Sequence, residues 1–225
     1  MDAQLSPFRV GWWSFDLPGY RACDGTYCLF PYETLPPLNV ELRGEFQWLS
    51  SLESHLQSVM SDHRSPQGER NKLAARLERL MASAPRFGLK LPEAFIKFMS
   101  TPALQDEIPS CTACYFDLPD RIVQSPVGDN SYLIRFLNDQ QGVLFWYLYL
   151  NQQGNHCVVV SPIPYDQEPL SVETVTAAPE YTHFCASGFE AFLYRFWLEN
   201  KLWFALSDSQ PLTEEQQHYL DQYKS

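Results

Sequence analysis

At 225 residues with 45% hydrophobic side chains, the chain is long enough to bury a sizeable core. Asp and Glu outnumber Lys and Arg by 27 to 16, and a net charge of -11 repels phosphate backbones, so nucleic acid is not an expected partner whereas a basic protein is. The longest unbroken apolar run, residues 143–150, falls far short of the roughly 20 residues a helix needs to span a bilayer, so no membrane partner is expected.

The opening residues, Met1-Asp2-Ala3-Gln4-Leu5-Ser6-Pro7, show neither the basic nor the apolar region of a secretory signal. Six cysteines are too few for a disulfide-dense scaffold, so the expectation is a cytoplasmic chain with reduced thiols. Residues 7–37 mix aromatics with the turn formers Pro18-Gly19 and Asp24-Gly25, which predicts short strands and tight turns. Residues 1–43 are therefore read as a strand-rich extension packed on a main domain of residues 44–225.

From Gly44 the period changes. Leu49, Leu52, Leu56 and Val59 fall on one helical face and predict a first helix ending near His63. Ser65 and Pro66 read as the N-cap and first position of a second helix, whose stripe is Leu73, Leu77, Leu80, Met81 and Ala84 and whose stop is Pro85 and Gly88. Its Arg70, Lys72, Arg76 and Arg79 interleave with Glu69 and Glu78, the pattern of a solvated face. Pro92 opens a third helix with Phe95, Phe98 and Met99 inward, and Pro102 is expected to end it.

Strands are expected at residues 114–118, 132–137, 143–150 and 156–161. The polar connections ending in Gly142 and Gly154 join the last three into an antiparallel meander. Leu144, Trp146, Leu148 and Leu150 share the expected core face. Val143, Phe145, Tyr147 and Tyr149 share the other, partly wet or covered by the extension. After a proline-containing loop, Ser187-Gly188-Phe189-Glu190 reads as a capping box for a long helix carrying Phe189, Phe192, Leu193, Phe196, Trp197 and Trp203, with Arg195 and Glu199 pairing on the opposite side. Thr213 and Gln216 repeat the signature for a short C-terminal helix. The fold class is α+β: an antiparallel β-meander packed against N-terminal and C-terminal helices, with an extra strand-rich segment in front.

Leu91-Pro92 followed by Phe95 and Phe98, the strand and turn Phe136-Leu137-Asn138-Asp139 to Gly142, the aromatic strand with Trp146, and the closing helix with Phe189, Phe192 and Leu193 together resemble the SUKH superfamily, from about Phe87 to Leu206. That group includes Smi/Knr-type cell-wall-regulator-like proteins and many bacterial immunity proteins. The chain departs from the family's Asn-Gly after the Leu-Pro helix, where Met99-Ser100-Thr101-Pro102-Ala103 stands. The resemblance implies helices against an antiparallel sheet and action through protein binding, as a toxin inhibitor or a signalling scaffold.

Candidate chemistry is sparse. Cys111-Thr112-Ala113-Cys114 has a zinc-knuckle spacing, but the pairs that would complete a site, Cys23 with Cys28 or His183 with Cys185, lack that form, so no metal or cofactor is expected. His156-Cys157 places its side chains on opposite strand faces, while His183 and Cys185 can share one. Asp117, Asp120, Asp129 and Asp139 stand in turn-forming context. Trp12 and Trp13 either fill a seam or anchor a partner. The candidate partner-binding residues are thus Trp12, Trp13, Asp139, Tyr147 and Tyr149. The expected function is a non-enzymatic protein-binding module, possible partners including a basic toxin domain, with a small Cys-dependent or metal-dependent hydrolase as the alternative.

Overall fold

The computed structural model describes residues 7–61, 67–167 and 170–223. In chain order its strands are β1 (Arg9–Val10), β2 (Trp12–Ser14), β3 (Cys28–Phe30), β4 (Tyr115–Phe116), β5 (Val123–Gln124), β6 (Ser131–Asn138), β7 (Phe145–Asn151), β8 (His156–Ser161) and β9 (His183–Ala186). Its α-helices are α1 (Ser54–Ser61), α2 (Gln67–Ser83), α3 (Glu93–Met99), α4 (Pro102–Gln105), α5 (Val172–Tyr181), α6 (Phe189–Ser207) and α7 (Glu214–Asp221). Seven strands form one sheet in the order β1-β9-β8-β7-β6-β4, with β5 also paired to β6, and β2 with β3 forms a separate hairpin. The arrangement is mixed α+β and mainly antiparallel.

The meander forms where alternation and turn chemistry agree. β6, β7 and β8 pair antiparallel in sequence order. The turns between them put Gly142 at φ 72° and Gly154 at φ 81°, where a side chain would be strained. Leu144, Trp146, Leu148 and Leu150 lie in the main core, against Phe95 and Phe98 of α3 and Phe189, Phe192 and Phe196 of α6. At about 1.5–3 kcal/mol for each fully buried large apolar side chain, this layer is the chief source of stability. Phe145, Tyr147 and Tyr149 form a second core on the other face, under Phe8 and Tyr32 of the N-terminal segment and Tyr165 and Ala178 of the segment that follows β8. Part of what reads as a proline-containing loop is thus helix α5 and strand β9, and it closes the second face. Pro179 is tolerated near the end of α5, since few backbone bonds follow it.

Several expectations are corrected. Residues 44–53 are not helical. Phe46 holds φ 56°, and the Glu190 carboxylate accepts from the backbone N–H of Gly44 and of Phe46 and from Trp48 Nε1, so this stretch is tied down by a side chain rather than by helical bonds. Only Ser54–Ser61 keeps the helical period. Since Glu190 is spent there, α6 has no capping box and begins at Gly188 with no side-chain cap. Pro102 opens α4 rather than only ending α3, occupying a first-turn position where its missing N–H costs nothing. The expected strand at 114–118 contracts to Tyr115–Phe116. The Ser65-Pro66 start of α2 and the end of the first helix near His63 fall outside the described residues. The Thr213–Gln216 capping box of α7 is formed on both sides.

Candidate functional site

A cleft of about 350 Å³ opens between α2 and the segment running from α4 to β4. Helical spacing places Arg70, Leu73 and Arg76 of α2 along one wall. Asp106, Ile108, Cys114, Tyr115 and Asp117 line the other. The charges meet across it: Arg70 Nη2 donates to Asp106 Oδ1 at 2.9 Å, and Arg76 Nη1 to Asp117 Oδ1 at 2.6 Å. Arg79 extends the row to Asp120 at 2.6 Å. These side chains keep roughly a quarter or more of their surface in water. The basic stretch of α2 is therefore a solvated face that pairs with acids of a neighbouring segment, Asp106, Asp117 and Asp120.

Behind the cleft the Cys114 thiol is held by a tyrosine. Tyr27 reaches from the N-terminal segment, packs its ring edge-on to Trp146, and donates from its hydroxyl to Asp139 Oδ1 at 2.8 Å. The same hydroxyl stands 2.8 Å from Thr112 Oγ1 and 3.4 Å from Cys114 Sγ. Asp139 accepts in turn from the backbone N–H of Gln141 and Val143, fixing the β6–β7 turn. Cys111 N–H donates to Asn200 of α6 and Cys114 N–H to Ser110. Burial pushes the thiols of both Cys111 and Cys114 up, for Cys111 with a further push from its neighbour Cys114, so the nucleophilic thiolate is disfavoured in each.

A second charged cluster lies wholly inside. Glu199 of α6 accepts from Trp12 Nε1 at 2.8 Å, Ser14 Oγ at 3.0 Å and Tyr219 Oη at 2.9 Å, and pairs with Arg21 at 2.9 and 3.2 Å. Arg21 also bonds the Phe15 carbonyl and Tyr223, and its guanidinium lies over the Phe30 ring. Burial alone pushes the Glu199 carboxyl up, but Arg21, Arg195 and the hydrogen bonds outweigh it and hold the group below its ordinary value. Arg195 does not pair with Glu199 across an exposed helix face as expected. Both are buried, and Arg195 donates to Tyr219 Oη and the Pro36 carbonyl.

The residues singled out from sequence divide accordingly. Trp12, Asp139, Tyr147 and Tyr149 are buried, and Trp13 is half-buried with its indole N–H on His183 Nδ1 at 3.2 Å. Tyr147 Oη donates to the Ile163 carbonyl and accepts from Tyr165 N–H. Four of the five side chains are thus inside the chain, and Trp13 is partly so. Cys23 and Cys28 are joined in a disulfide, which corrects the expectation of six free thiols: the loop between β2 and β3 brings their Cα atoms to 5.6 Å, within bridging range. Burial pushes Cys157 up to about 12 and Cys185 well above the ordinary thiol value. His183 and Cys185 take different partners, Cys185 Sγ pointing to the Val158 carbonyl. Asp129 is exposed. No group of three or more His, Cys, Asp or Glu with metal-site geometry occurs among the described residues.

The sequence reading missed the cleft and Tyr27. A signal for the cleft existed in the basic run Arg70 to Arg79 facing an acidic run Asp106, Glu107, Asp117 and Asp120 of similar reach. Comparison of the chain with protein-family models, curated proteins and solved structures finds no match.

Proposed function

We propose that the chain is a protein-binding module without catalytic chemistry, an immunity-type inhibitor of a basic toxin domain or a scaffold of the same build, and that the partner is engaged at the α2–β4 cleft. The observation that carries this reading is where the reactive groups stand. The four free cysteines are held as thiols by burial, and Asp139 and Glu199 are tied to the chain's own donors. The ion-paired groups at the cleft keep about a quarter of their side-chain surface in water, beside the apolar lining of Met60, Leu73 and Ile108. A polar rim around an apolar patch is the anatomy of a protein interface. The net charge of -11 steers a basic partner toward the molecule. The α+β order of helix, meander and closing helix is in keeping with the SUKH resemblance, and no helix among the described residues is long and apolar enough to cross a membrane.

The test is retention of a partner by the purified chain, followed by co-expression with candidate basic toxin domains. The expected result is protection from toxicity and a dissociation constant that rises with salt, since exposed charges are screened beyond about 8 Å at physiological ionic strength. Charge reversal at Asp106 and Asp117 together is expected to weaken binding at least tenfold. A chain that retains nothing, or that leaves toxicity unchanged while bound, removes the inhibitor reading.

A further inference from the structure

The loop that carries Tyr27 is fixed at both ends. Arg21 is bound to Glu199 at one side, and Cys28 pairs with Ser14 in the β2–β3 hairpin at the other. Between them Ala22, Asp24, Gly25 and Thr26 are exposed, and Tyr27 is the residue that enters the protein. The Cys23–Cys28 disulfide closes this stretch into a ring with Tyr27 inside it. Closing a loop removes conformations in which Tyr27 leaves its seat, because a shorter free segment has fewer ways to swing out. The disulfide lies in an exposed loop, with both sulfurs' residues only partly buried, so an external thiol has access to it.

We infer that the Cys23–Cys28 disulfide is a reducible latch: intact, it holds Tyr27 over Cys114, and reduction by a protein dithiol releases Tyr27 and opens the Cys111–Cys114 turn and the rear of the cleft. The chemistry is a two-electron thiol–disulfide exchange. A thiolate of the dithiol attacks one sulfur of the Cys23–Cys28 bond, forming a mixed disulfide and expelling the other cysteine as a thiolate that takes up a proton. The second thiol of the reductant, deprotonated, then breaks the mixed disulfide. The reductant leaves oxidised, and Cys23 and Cys28 are both thiols. Loss of the latch removes the shared anchor of two segments, since the Tyr27 hydroxyl contacts Asp139 of the β6–β7 turn and both Thr112 and Cys114 of the Cys111–Cys114 turn. Cys114 lines the cleft, so the latch communicates with it directly. The inference stands independently of whether a partner is found.

The test is residue-resolved alkylation of the native full chain by iodoacetamide, with peptide mapping by mass spectrometry. Three forms are compared: the disulfide-bonded protein, the same protein reduced by a thioredoxin-type dithiol, and the C23S/C28S variant. The expected result is that labelling of Cys111 and Cys114 is at least tenfold faster in the second and third forms, while Cys157 and Cys185, buried in the sheet, label at an unchanged rate. Tyr27→Ala in the disulfide-bonded protein is expected to reproduce the faster labelling with the disulfide still present. Equal labelling of Cys111 and Cys114 in all forms overturns the latch. A parallel rise at all four cysteines overturns it too, because the disulfide then acts on the whole fold.

Discussion

Two sets of arginine–carboxylate pairs use the same chemistry in opposite surroundings. Arg21 and Glu199 meet inside the protein with side chains 4% and 1% exposed, and Glu199 has four donating residues around it. Arg70–Asp106 and Arg76–Asp117 meet across a wet cleft. In the first case the charges have left water, and each depends on the other for solvation. In the second, water competes for both partners, so the pairs are weak as fasteners and available to be exchanged. The same pair of residue types thus serves as a clasp in one place and as a contact surface in the other.

The comparison is broken most sharply at Glu199. Glu199→Ala strands the Arg21 guanidinium and the Trp12 indole N–H in the interior, and the expected loss is about 3–5 kcal/mol, read as a lower urea midpoint. Removing both charges by R21M together with E199L is expected to cost markedly less than the sum of the single losses, because the two charges that solvate each other leave together. A double variant as damaged as that sum would show that the pair is not a unit.

Acid is a milder probe of the same cluster. The folded carboxyl of Glu199 is held below its ordinary value of 4.5, so it contributes stability that is full above that pH and is lost as pH falls through the lower folded value. His183 acts in the same direction at higher pH. Burial first, and then Arg9, lower its folded value below 6.5, so stability begins to fall as pH drops through 6.5 and the unfolded chain takes up the proton. Unfolding midpoints measured from pH 7 to 3 are expected to decline progressively, and the fall below pH 4.5 is expected to be shallower in Glu199→Gln. The smallest effect belongs to the cleft: Arg76→Ala is expected to change stability by no more than about 1 kcal/mol in the same denaturation assay. A loss comparable to that of Glu199→Ala would erase the distinction between clasp and surface.

What the sequence disclosed follows the range of the interactions. The meander is legible because alternation and two glycine-ended turns are local, and both faces of β7 fall as the period requires, while Val143, expected in that strand, lies exposed in the turn before it. Helices α2, α3, α6 and α7 are legible for the same reason. The failures involve partners far away in the chain. Glu190 looks like a cap for its own helix but bonds the backbone of Gly44 and Phe46, and Glu199 looks like a partner for Arg195 four residues before it but takes Arg21. A long-range partner that satisfies more of a buried carboxylate's lone pairs outcompetes an adjacent one, and nothing in the local pattern announces it. β9 was hidden by its composition, since His183-Phe184-Cys185 invites a chemical reading where the backbone simply pairs with Val158, Val159 and Val160. The cleft was hidden because its acids and bases each look like ordinary surface charge until α2 is laid beside β4.

The parallel pairing of β1 on β9 carries a consequence for the order of assembly. Strand β1 is synthesised well before its neighbours His183 and Phe184, and Trp12 has its hydrogen-bond partner 187 positions further along. Contacts that far apart form only after the intervening chain exists and has closed a very long loop. The meander and α6 must therefore be in place before β1 can be added at the sheet's edge, so a strand synthesised before them docks after them.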